Sequence, residues 1–325
     1  MKIALIGVGS IGLRHLNNLS KLGYRDVIIF DTSKGQIFKA KKILPSVVFC
    51  NKINSIWQQL PNIVFINTPT YTHISYAIKA AHMGCHIFIE KPLSNNLKSI
   101  KRLLTIIDDK NLTTMVGCNM RYYWAIRKIK ELISKKIIGK LYAAHIESGS
   151  YLPEWRKNNY RKTYSAQKIM GGGIILDGIH ELDYAIWFFG KIIKQISMYG
   201  KVSKLDIDTE DVADVLLKFE SGPIVNIHLD YLQHNYSRNC KIIGEKGTII
   251  WNFSEHLVKI YSHNTKKWQL IEEPRSYNLN QMYIDEIKYF LDCVKQKRNT
   301  LNSVISASQT LRIALNIKNT KHYVT

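Results

Sequence analysis

Short apolar runs alternate with amphipathic stretches over the first 120 residues, and this alternation restricts the fold more than any other feature of the sequence. Short buried strands separated by helices form parallel sheets, in which right-handed crossovers cover both faces. The pattern therefore predicts an α/β domain over residues 1–120, built on a doubly wound parallel sheet. The predicted strands are Lys2–Ile6, Val27–Phe30, Asn62–Ile66, His86–Ile89 and Thr114–Val116, and the predicted helices are Ile11–Lys21, Gln36–Leu44, Ile74–His82 and Leu97–Asp109.

The pattern changes after Asn119. A loop rich in glycine and aromatic residues spans 149–173, and strand-like runs with turn signals between them follow one another over 195–271. Successive short strands are typical of antiparallel pairing. The sequence therefore predicts a second, α+β domain over residues 121–325, with an open, largely antiparallel sheet. The helices predicted in this half are Tyr123–Ser134, Ile174–Phe189, Gln281–Lys295 and Ser303–Ile317.

The composition limits the classes of partner. The chain has 46 Lys and Arg against 25 Asp and Glu, a net charge of +21, which favours anionic ligands. The basic residues are spread along the chain and form no nucleic-acid reader motif, so no nucleic acid is predicted. No apolar run is long enough for a membrane span, so no membrane partner is predicted. Five dispersed cysteines without a Cys-x-x-Cys pair indicate a reducing, cytoplasmic compartment.

A glycine-rich segment, Gly7-Val8-Gly9-Ser10-Ile11-Gly12, follows the first predicted strand and opens the first helix. In this context the G-x-G-x-x-G spacing is the dinucleotide fingerprint of a Rossmann domain, with the phosphates at the helix N-terminus. Asp31 ends the second predicted strand and would bind the ribose hydroxyls of the adenosine half. A carboxylate there repels a 2′-phosphate, so NAD is predicted. The neighbouring Thr32, Ser33 and Lys34 could accommodate that phosphate, which leaves NADP as the less favoured alternative.

Two further loops lie at predicted carboxyl ends of strands, where ligands bind in this fold. The first contains Thr68, Pro69, Thr70 and His73, although Thr70 or Thr72 could simply cap the next helix. The second is Glu90-Lys91-Pro92. A lysine beside a carboxylate can donate a hydrogen bond or carry a proton. A surface lysine at a strand end is the alternative.

The segment from Gly171 to Asp183 is the most informative of the second half. Asp177 and His180 are three residues apart, which predicts that they share one helix face. A histidine titrates near neutral pH and suits removal of a hydroxyl proton as hydride leaves the carbon. A capping aspartate beside a packed histidine is the alternative. No metal is predicted, because neither a cysteine nor a second nearby histidine supports Asp177, His180 and Asp183 as ligands.

These motifs occur in an order and spacing that resembles the Gfo/Idh/MocA family of NAD(P)-dependent sugar oxidoreductases. The resemblance includes Gly117-Cys118-Asn119-Met120-Arg121-Tyr122 and covers essentially the whole chain. Three further segments resemble a branch associated with nucleotide-sugar and surface-glycan metabolism. They are Tyr151–Trp155, Tyr160–Ala166 and His180–Tyr184.

The resemblance implies roles for individual residues. Lys91 would contact both the nicotinamide and the substrate hydroxyl, and His180 would be the acid/base group. Asp177 corresponds to the aspartate before that histidine, with one departure: two residues separate the pair here and three in many members, which changes the orientation expected for Asp177. The remaining implied cofactor contacts are Ser10, Ile11, Thr68, Pro69, Thr70, His73, Glu90 as the acid on the ribose side, and Asn119.

Substrate selection is expected in the loop from Tyr151 to Tyr164, where aromatic faces pack against rings and arginines bind anionic groups. A loop that contacts a second copy of the chain is the alternative. In the family the open sheet commonly mediates assembly, which implies a homodimer or homotetramer through the second domain. The predicted substrate-binding residues are Lys91, Arg121, Tyr151, Trp155, Arg161, Tyr164, Asp177 and His180, and Arg156 lies in the same loop.

Together these features predict an enzyme that transfers hydride between NAD(P) and a secondary hydroxyl, or its ketone, of a sugar or sugar nucleotide. An anionic substrate and a place in polysaccharide biosynthesis are the finer expectations. Lys91 from the first half and His180 from the second are expected to meet at one substrate carbon, with Asp177 as the third catalytic residue. A dinucleotide-binding sensor without turnover is the alternative, and intact Lys91 and His180 argue against it.

Overall fold

The computed structural model describes residues 1–155, 159–318 and the backbone of 323–324. The chain folds into two compact units. The first contains Met1–Asn119 and Asn280–Leu311, and the second contains the described residues of Met120–Leu279 and those from Arg312 onward. Residues 280–311 group with the first unit. The predicted division into a dinucleotide-binding domain and a substrate domain stays a prediction.

The first unit is built on a six-stranded parallel sheet with the order β3-β2-β1-β4-β5-β6. The order reverses direction between β1 and β4, so the loops after these two strands flank the point where ligands bind in such sheets. The predicted α/β class is confirmed. Its elements are β1 (Ile3–Ile6), α1 (Ser10–Lys21), β2 (Val27–Phe30), α2 (Lys34–Ile43), β3 (Val48–Phe49), α3 (Ile53–Gln58), β4 (Ile63–Ile66), α4 (His73–His82), β5 (His86–Glu90), α5 (Ile100–Asp109) and β6 (Thr114–Gly117).

The second unit carries a mixed sheet in which most neighbouring strands are antiparallel, and β7 and β10 are parallel. The predicted open, largely antiparallel sheet is confirmed. Its elements are α6 (Trp124–Ser134), β7 (Leu141–Gly149), α7 (Ile174–Asp177), α8 (Ile179–Phe189), β8 (Ile192–Gly200), β9 (Val212–Phe219), β10 (Ile224–Asp230), β11 (Ser237–Gly244), β12 (Gly247–Asn252), β13 (Leu257–Ser262) and β14 (Lys267–Glu272). The strand order is β14-β13-β12-β11-β7-β10-β9-β8.

The two faces of this sheet differ in burial. Along β9, Ala213, Val215 and Leu217 are fully buried, and helices α7 and α8 pack against this side of the sheet. Leu216 points the other way and is 46% exposed, and its direct neighbour on β8, Ile196, is 54% exposed. The alternation follows from the two-residue period of a strand and leaves one face of the sheet in contact with solvent.

The C-terminal helices α9 (Asn280–Lys295) and α10 (Val304–Lys318) are followed by a short strand, β15 (Tyr323–Val324), beside β8. Helix α9 joins the first unit because its apolar side packs into the core of the parallel sheet. The ring of Phe290 lies 5.8 Å from that of Phe65 and 5.6 Å from that of Phe88. The side-chain amides of Asn18 and Asn280 exchange hydrogen bonds of 3.3 and 2.8 Å. Amphipathicity alone predicted the helix but not the core that it joins.

The single helix predicted over Ile174–Phe189 is wrong, because the chain breaks at Gly178 between α7 and α8. A Cβ atom at this position would lie 2.9 Å from the carbonyl oxygen of Ile174 and 2.9 Å from the side chain of Leu229. Only glycine permits this close contact with β10. Asp177 therefore ends one helix while His180 belongs to the next, and they do not share a continuous helix face.

Among the described residues, no helix combines the length and the apolar character that crossing a membrane requires.

The outer edge of β6 is paired by the segment that precedes α10. The backbone N–H of Val116 donates to the carbonyl oxygen of Asn302 at 2.8 Å, and the Asn302 side-chain amide donates to the carbonyl of Val116 at 2.8 Å. Asn302 is 1% exposed. An edge strand is thus covered by a short turn segment of the same unit.

Asn302→Ala is expected to lower the free energy of unfolding by about 1 kcal/mol, because it removes a buried hydrogen bond to the carbonyl of Val116. That carbonyl keeps the backbone N–H of Cys118 as a donor at 2.8 Å. Urea denaturation followed by circular dichroism measures the change. Leu301→Ala, at a neighbouring side chain that is 56% exposed, is the control and should change stability by less than about 0.5 kcal/mol. Equal effects of the two substitutions would show that the side-chain bond of Asn302 contributes nothing.

Candidate functional site

The glycine-rich turn lies between β1 and α1. A Cβ atom at Gly12 would collide with the carbonyl oxygen of Gly7, so only glycine lets the helix start this close to the strand. A Cβ atom at Gly9 would meet nothing within 4 Å, which leaves open space beside the turn. Ser10 and Ile11 form the first turn of α1, whose backbone N–H groups have no acceptor within the helix. This geometry suits a bound phosphate group.

A cavity of about 360 Å³ opens at the carboxyl ends of β1, β2 and β4. Its walls combine the glycine turn, the end of β2 and the loop after β4, which are the parts of the fold that the sequence analysis assigned to the cofactor. The lining residues are Gly7, Gly9, Phe30, Asp31, Thr32, Asn67, Thr68, Pro69, Tyr71, Thr72 and Tyr76. The tyrosines and Phe30 were not predicted.

Asp31 is fixed by the backbone around it. Its Oδ2 accepts the N–H of Val8 at 2.7 Å and its Oδ1 accepts the N–H of Ser33 at 2.8 Å. The carboxylate therefore bridges the glycine turn and the segment after β2 while it lines the cavity. The open turn, the cavity and this carboxylate fit the adenosine and phosphate groups of a dinucleotide.

The hydroxyl groups of two threonines contribute to the order of the loop after β4. The hydroxyls of Thr68 and Thr72 lie 2.7 Å apart, and Thr72 donates to the carbonyl of Pro69 at 2.8 Å. Thr72 is the residue before α4, but its side chain makes no capping bond to the helix, and Thr70 is buried. Thr72 therefore orders the loop, and the capping alternative does not apply to its side chain.

His73, the first residue of α4, is only 1% exposed. Its Nδ1 lies 2.9 Å from the carbonyl oxygen of Pro92 and its Nε2 lies 2.8 Å from the carbonyl oxygen of Thr68. Burial lowers the pKa of His73, against the opposing effects of the backbone carbonyls and of Glu90. Both ring nitrogens are thus engaged by the main chain, and a direct contact of His73 with the cofactor stays a prediction.

Glu90 and Lys91 lie at the carboxyl end of β5. The Oε1 atom of Glu90 is 2.6 Å from Nε2 of His15, and its Oε2 atom accepts the backbone N–H of Lys91 at 3.3 Å. His15 is completely buried on α1. The sequence analysis missed this histidine, although its position one helical turn after Gly12 places it beneath the glycine turn. The half-buried Lys91 is therefore attached through Glu90 to α1, the helix that follows the glycine turn.

Asn119, another predicted cofactor contact, follows β6 and is 7% exposed. Its side-chain amide donates to the sulfur of Met282 at 3.4 Å. Its predicted role, like those of Glu90, Lys91 and the glycine turn, stays a prediction at the level of single contacts.

In the second unit, two tyrosines hold the carboxylate of Asp177. The hydroxyl of Tyr164 donates to Oδ1 at 2.7 Å and the hydroxyl of Tyr231 donates to Oδ2 at 2.6 Å. Tyr231 is fully buried, and this burial raises its pKa well above the ordinary range, so it stays a protonated donor. Tyr164 was predicted to bind substrate and here binds Asp177. Sequence reasoning missed Tyr231, which lies 54 residues from its partner.

His180 and Asp183 lie on α8, and both are buried. Asp183 forms a two-point ion pair with Arg121, in which Nε lies 2.6 Å from one carboxylate oxygen and Nη2 lies 2.8 Å from the other. Arg121 is 5% exposed. Its guanidinium is committed to a buried carboxylate, so the contacts seen here are structural, and a role in substrate binding stays a prediction.

The aromatic loop of the second unit presents its rings at the surface. Trp155 is 39% exposed, and its ring meets that of Tyr231 edge-on at 5.2 Å. Tyr151 packs against the imidazole of His234 at 4.0 Å. Arg161 forms an exposed ion pair of 2.7 Å with Asp206, so an anionic ligand would have to compete with that carboxylate. Arg156 lies outside the described residues.

Over the part of the chain that the structure describes, no group of three His, Cys, Asp or Glu side chains is arranged to hold a metal ion.

Family models match both halves of the sequence. Residues 1–118 match an oxidoreductase family with an NAD-binding Rossmann fold, and residues 126–250 match the GFO/IDH/MocA C-terminal domain. The chain belongs to the GFO/IDH/MocA family. The predicted family, an oxidoreductase activity and NAD as the cofactor are thereby confirmed. The assignment of the cavity described above to this cofactor stays a prediction.

The alignments with several named relatives cover nearly the whole chain. Myo-inositol 2-dehydrogenase of Thermotoga maritima is 26% identical over 310 residues, which cover 91% of this chain and 88% of that protein. Levoglucosan dehydrogenase in complex with NADH superposes with a TM-score of 0.88 at 19% identity, covering 98% and 96% of the two chains. UDP-N-acetylglucosamine 3-dehydrogenase of Acidithiobacillus ferrooxidans superposes with a TM-score of 0.81 at 18% identity, covering 98% of this chain and 96% of that one. The two structural comparisons establish a shared fold.

Tyr231→Phe is expected to lower the free energy of unfolding by about 2 kcal/mol, because it removes a buried hydrogen bond to a carboxylate. Combined with Asp177→Ala in a double-mutant cycle, it should show a coupling energy of about 1 kcal/mol or more. Urea denaturation of the four proteins measures the cycle. If the two stability changes add within about 0.5 kcal/mol, the hydrogen bond between Tyr231 and Asp177 does not contribute to stability.

Proposed function

We propose that this protein is a dehydrogenase that transfers hydride between NAD and a secondary hydroxyl, or its ketone, of a sugar or sugar nucleotide. The observation that carries the proposal is Lys91, a half-buried lysine at the carboxyl end of β5 in the NAD-binding unit. Its backbone N–H is bound by Glu90, which also contacts His15 on α1, the helix after the glycine turn. The family members named above are dehydrogenases of an inositol, of levoglucosan and of a nucleotide sugar, which supports a substrate of this class.

The chemistry follows from the residue types. Bound NAD supplies the acceptor for the hydride that leaves the carbinol carbon. Lys91 donates a hydrogen bond to the reacting oxygen and stabilises the negative charge that develops there. His180 accepts the hydroxyl proton, so that the alcohol becomes a ketone by loss of one hydride and one proton. Asp177, whose two oxygens are oriented by Tyr164 and Tyr231, accepts a hydrogen bond from a neighbouring substrate hydroxyl.

We further propose an anionic substrate, such as a sugar nucleotide used in surface-glycan biosynthesis. The net charge of +21 favours anions, and the exposed Trp155 offers a stacking surface. Arg161 offers a cation to an anionic ligand that displaces the carboxylate of Asp206. Five free cysteines, all buried, support a reducing cytoplasm as the compartment.

The test mixes the protein and NAD with myo-inositol, levoglucosan and UDP-N-acetylglucosamine in turn and follows the absorbance of reduced nicotinamide. At least one of these is expected to give turnover. Lys91→Ala should reduce that turnover by about 100-fold or more and leave NAD affinity within a few-fold. Lys79→Ala, an exposed lysine on α4 of the same unit, is the control and should behave like the wild type.

Two outcomes contradict the proposal. Wild-type turnover in Lys91→Ala would remove the lysine from the mechanism. Tight NAD binding without turnover of any sugar tested, in either direction, would favour the non-catalytic sensor.

The exposed face of the second unit's sheet supports a further part of the proposal, assembly with a second copy of the chain. Leu216 lies on β9 between Asp214 and Lys218, which point to the same face. Two copies related by a two-fold axis through Leu216 would bring Asp214 of each near Lys218 of the other, with apolar contact between them. Exposed apolar side chains extend the patch, namely Ile196, Met198 and Ile224.

Leu216→Asp is expected to convert a dimer or tetramer into a smaller species in sedimentation velocity, because it places a charge at the centre of the apolar contact. Ile305→Asp changes a side chain of α10 that is 56% exposed, and it should leave the sedimentation coefficient unchanged. A monomeric wild type, or an unchanged assembly in Leu216→Asp, would exclude this face as the interface.

A further inference from the structure

We propose that His73 is a positioning residue that ties the loop after β4 to the loop after β5 and thereby sets the spacing of two parts of the cofactor site. The inference rests on the cofactor placement proposed above. It gives His73 a role that differs from the direct cofactor contact expected from the sequence.

Both ring nitrogens of His73 have a backbone carbonyl as partner. His73 is 1% exposed, with Nε2 at 2.8 Å from the carbonyl oxygen of Thr68 and Nδ1 at 2.9 Å from that of Pro92. The first carbonyl belongs to the loop after β4 and the second to the loop after β5. The imidazole is thus a side chain placed directly between two strand-end loops of the parallel sheet.

The two contacts need two N–H donors, and the number that the imidazole has depends on its protonation. Both partners are carbonyl oxygens, which only accept, while a neutral imidazole has one N–H and an imidazolium has two. The neutral ring therefore donates to one loop at a time, and the protonated ring donates to both. Glu90 is the charged group that acts on the ring and favours the protonated form, whereas burial opposes it. In either form the ring fills the space between the two carbonyls.

The two loops carry different parts of the cofactor site. Thr68 and Pro69 line the cavity assigned to the adenosine half of NAD. Pro92 directly follows Lys91, the residue proposed to act beside the nicotinamide. A change in the distance between these loops moves Lys91 relative to a cofactor held in the cavity, and displacements of about 1 Å at such groups are costly. The bridge therefore matters for a ligand that reaches both loops and not for one that fills the cavity alone.

The experiment compares two ligands. Isothermal titration calorimetry measures the dissociation constants of NAD and AMP for the wild type and for His73→Ala. NAD affinity is expected to fall about tenfold, the equivalent of about one hydrogen bond, while AMP affinity stays within about twofold. Added imidazole should restore most of the NAD affinity of His73→Ala, because it fills the space that the side chain leaves.

A matched control removes another histidine of the same unit. His86 lies at the amino end of β5, and its Nδ1 accepts the backbone N–H of Thr113 at 2.9 Å. His86→Ala is expected to lower the melting temperature without changing the ratio of NAD to AMP affinity. His73→Gln, which keeps an amide donor, is the second variant if His73→Ala fails to fold, and its NAD affinity should fall about threefold.

The outcomes separate the inference from the proposed function. Failure of the wild type to bind NAD would reject the cofactor site itself. Unchanged NAD affinity in the His73 variants, or an equal loss of NAD and AMP affinity, would reject the bridge and leave the dehydrogenase proposal intact.

Discussion

The contact between the start of α1 and the turn after β1 is the constraint on which the first unit depends. Gly12 lies against the carbonyl of Gly7, and no side chain fits between them. This approach puts the helix N-terminus beside the cavity and leaves His15 one turn later under the sheet, within 2.6 Å of Glu90. The glycine turn proposed to bind the phosphates and the strand end that carries Lys91 therefore belong to one packed unit, joined through the contact of His15 with Glu90.

The second unit organises its carboxylate by a different device. Asp177 closes the short helix α7, and the break at Gly178 removes the continuous helix face that would have aligned it with His180. Two phenols, from the aromatic loop and from the end of β10, fix its oxygens instead. Tyr231 also meets Trp155 edge-on. The orientation of Asp177 therefore depends on the loop proposed to select the substrate, so the carboxylate and the selecting surface are mechanically connected.

The sequence predicted the features that arise from local pattern. The bounds of β2, Val27–Phe30, agree with the prediction because that strand is an uninterrupted apolar run bordered by polar residues. The two-residue strand β3 was missed, since Val48 and Phe49 are too short to show a period. Helix α9 was predicted as an amphipathic helix, but the core into which it packs was not predicted. An apolar pattern shows that a helix face is buried, and it does not show which element covers that face. Tyr231 escaped for the same reason: it reaches Asp177 across 54 residues, and no spacing rule covers such a distance.

The return of the chain to its first unit has a consequence for synthesis on the ribosome. The core around Phe65 and Phe88 is completed by Phe290, and the edge of β6 is paired by Asn302, both of which emerge long after residue 119. At translation rates of about 5–20 residues per second, the ribosome needs roughly ten to forty seconds to proceed from residue 119 to Phe290 and Asn302. Until then the edge of the nascent sheet is unpaired and its aromatic core is incomplete. During that interval the nascent chain offers a binding surface for chaperones, which the finished protein no longer has.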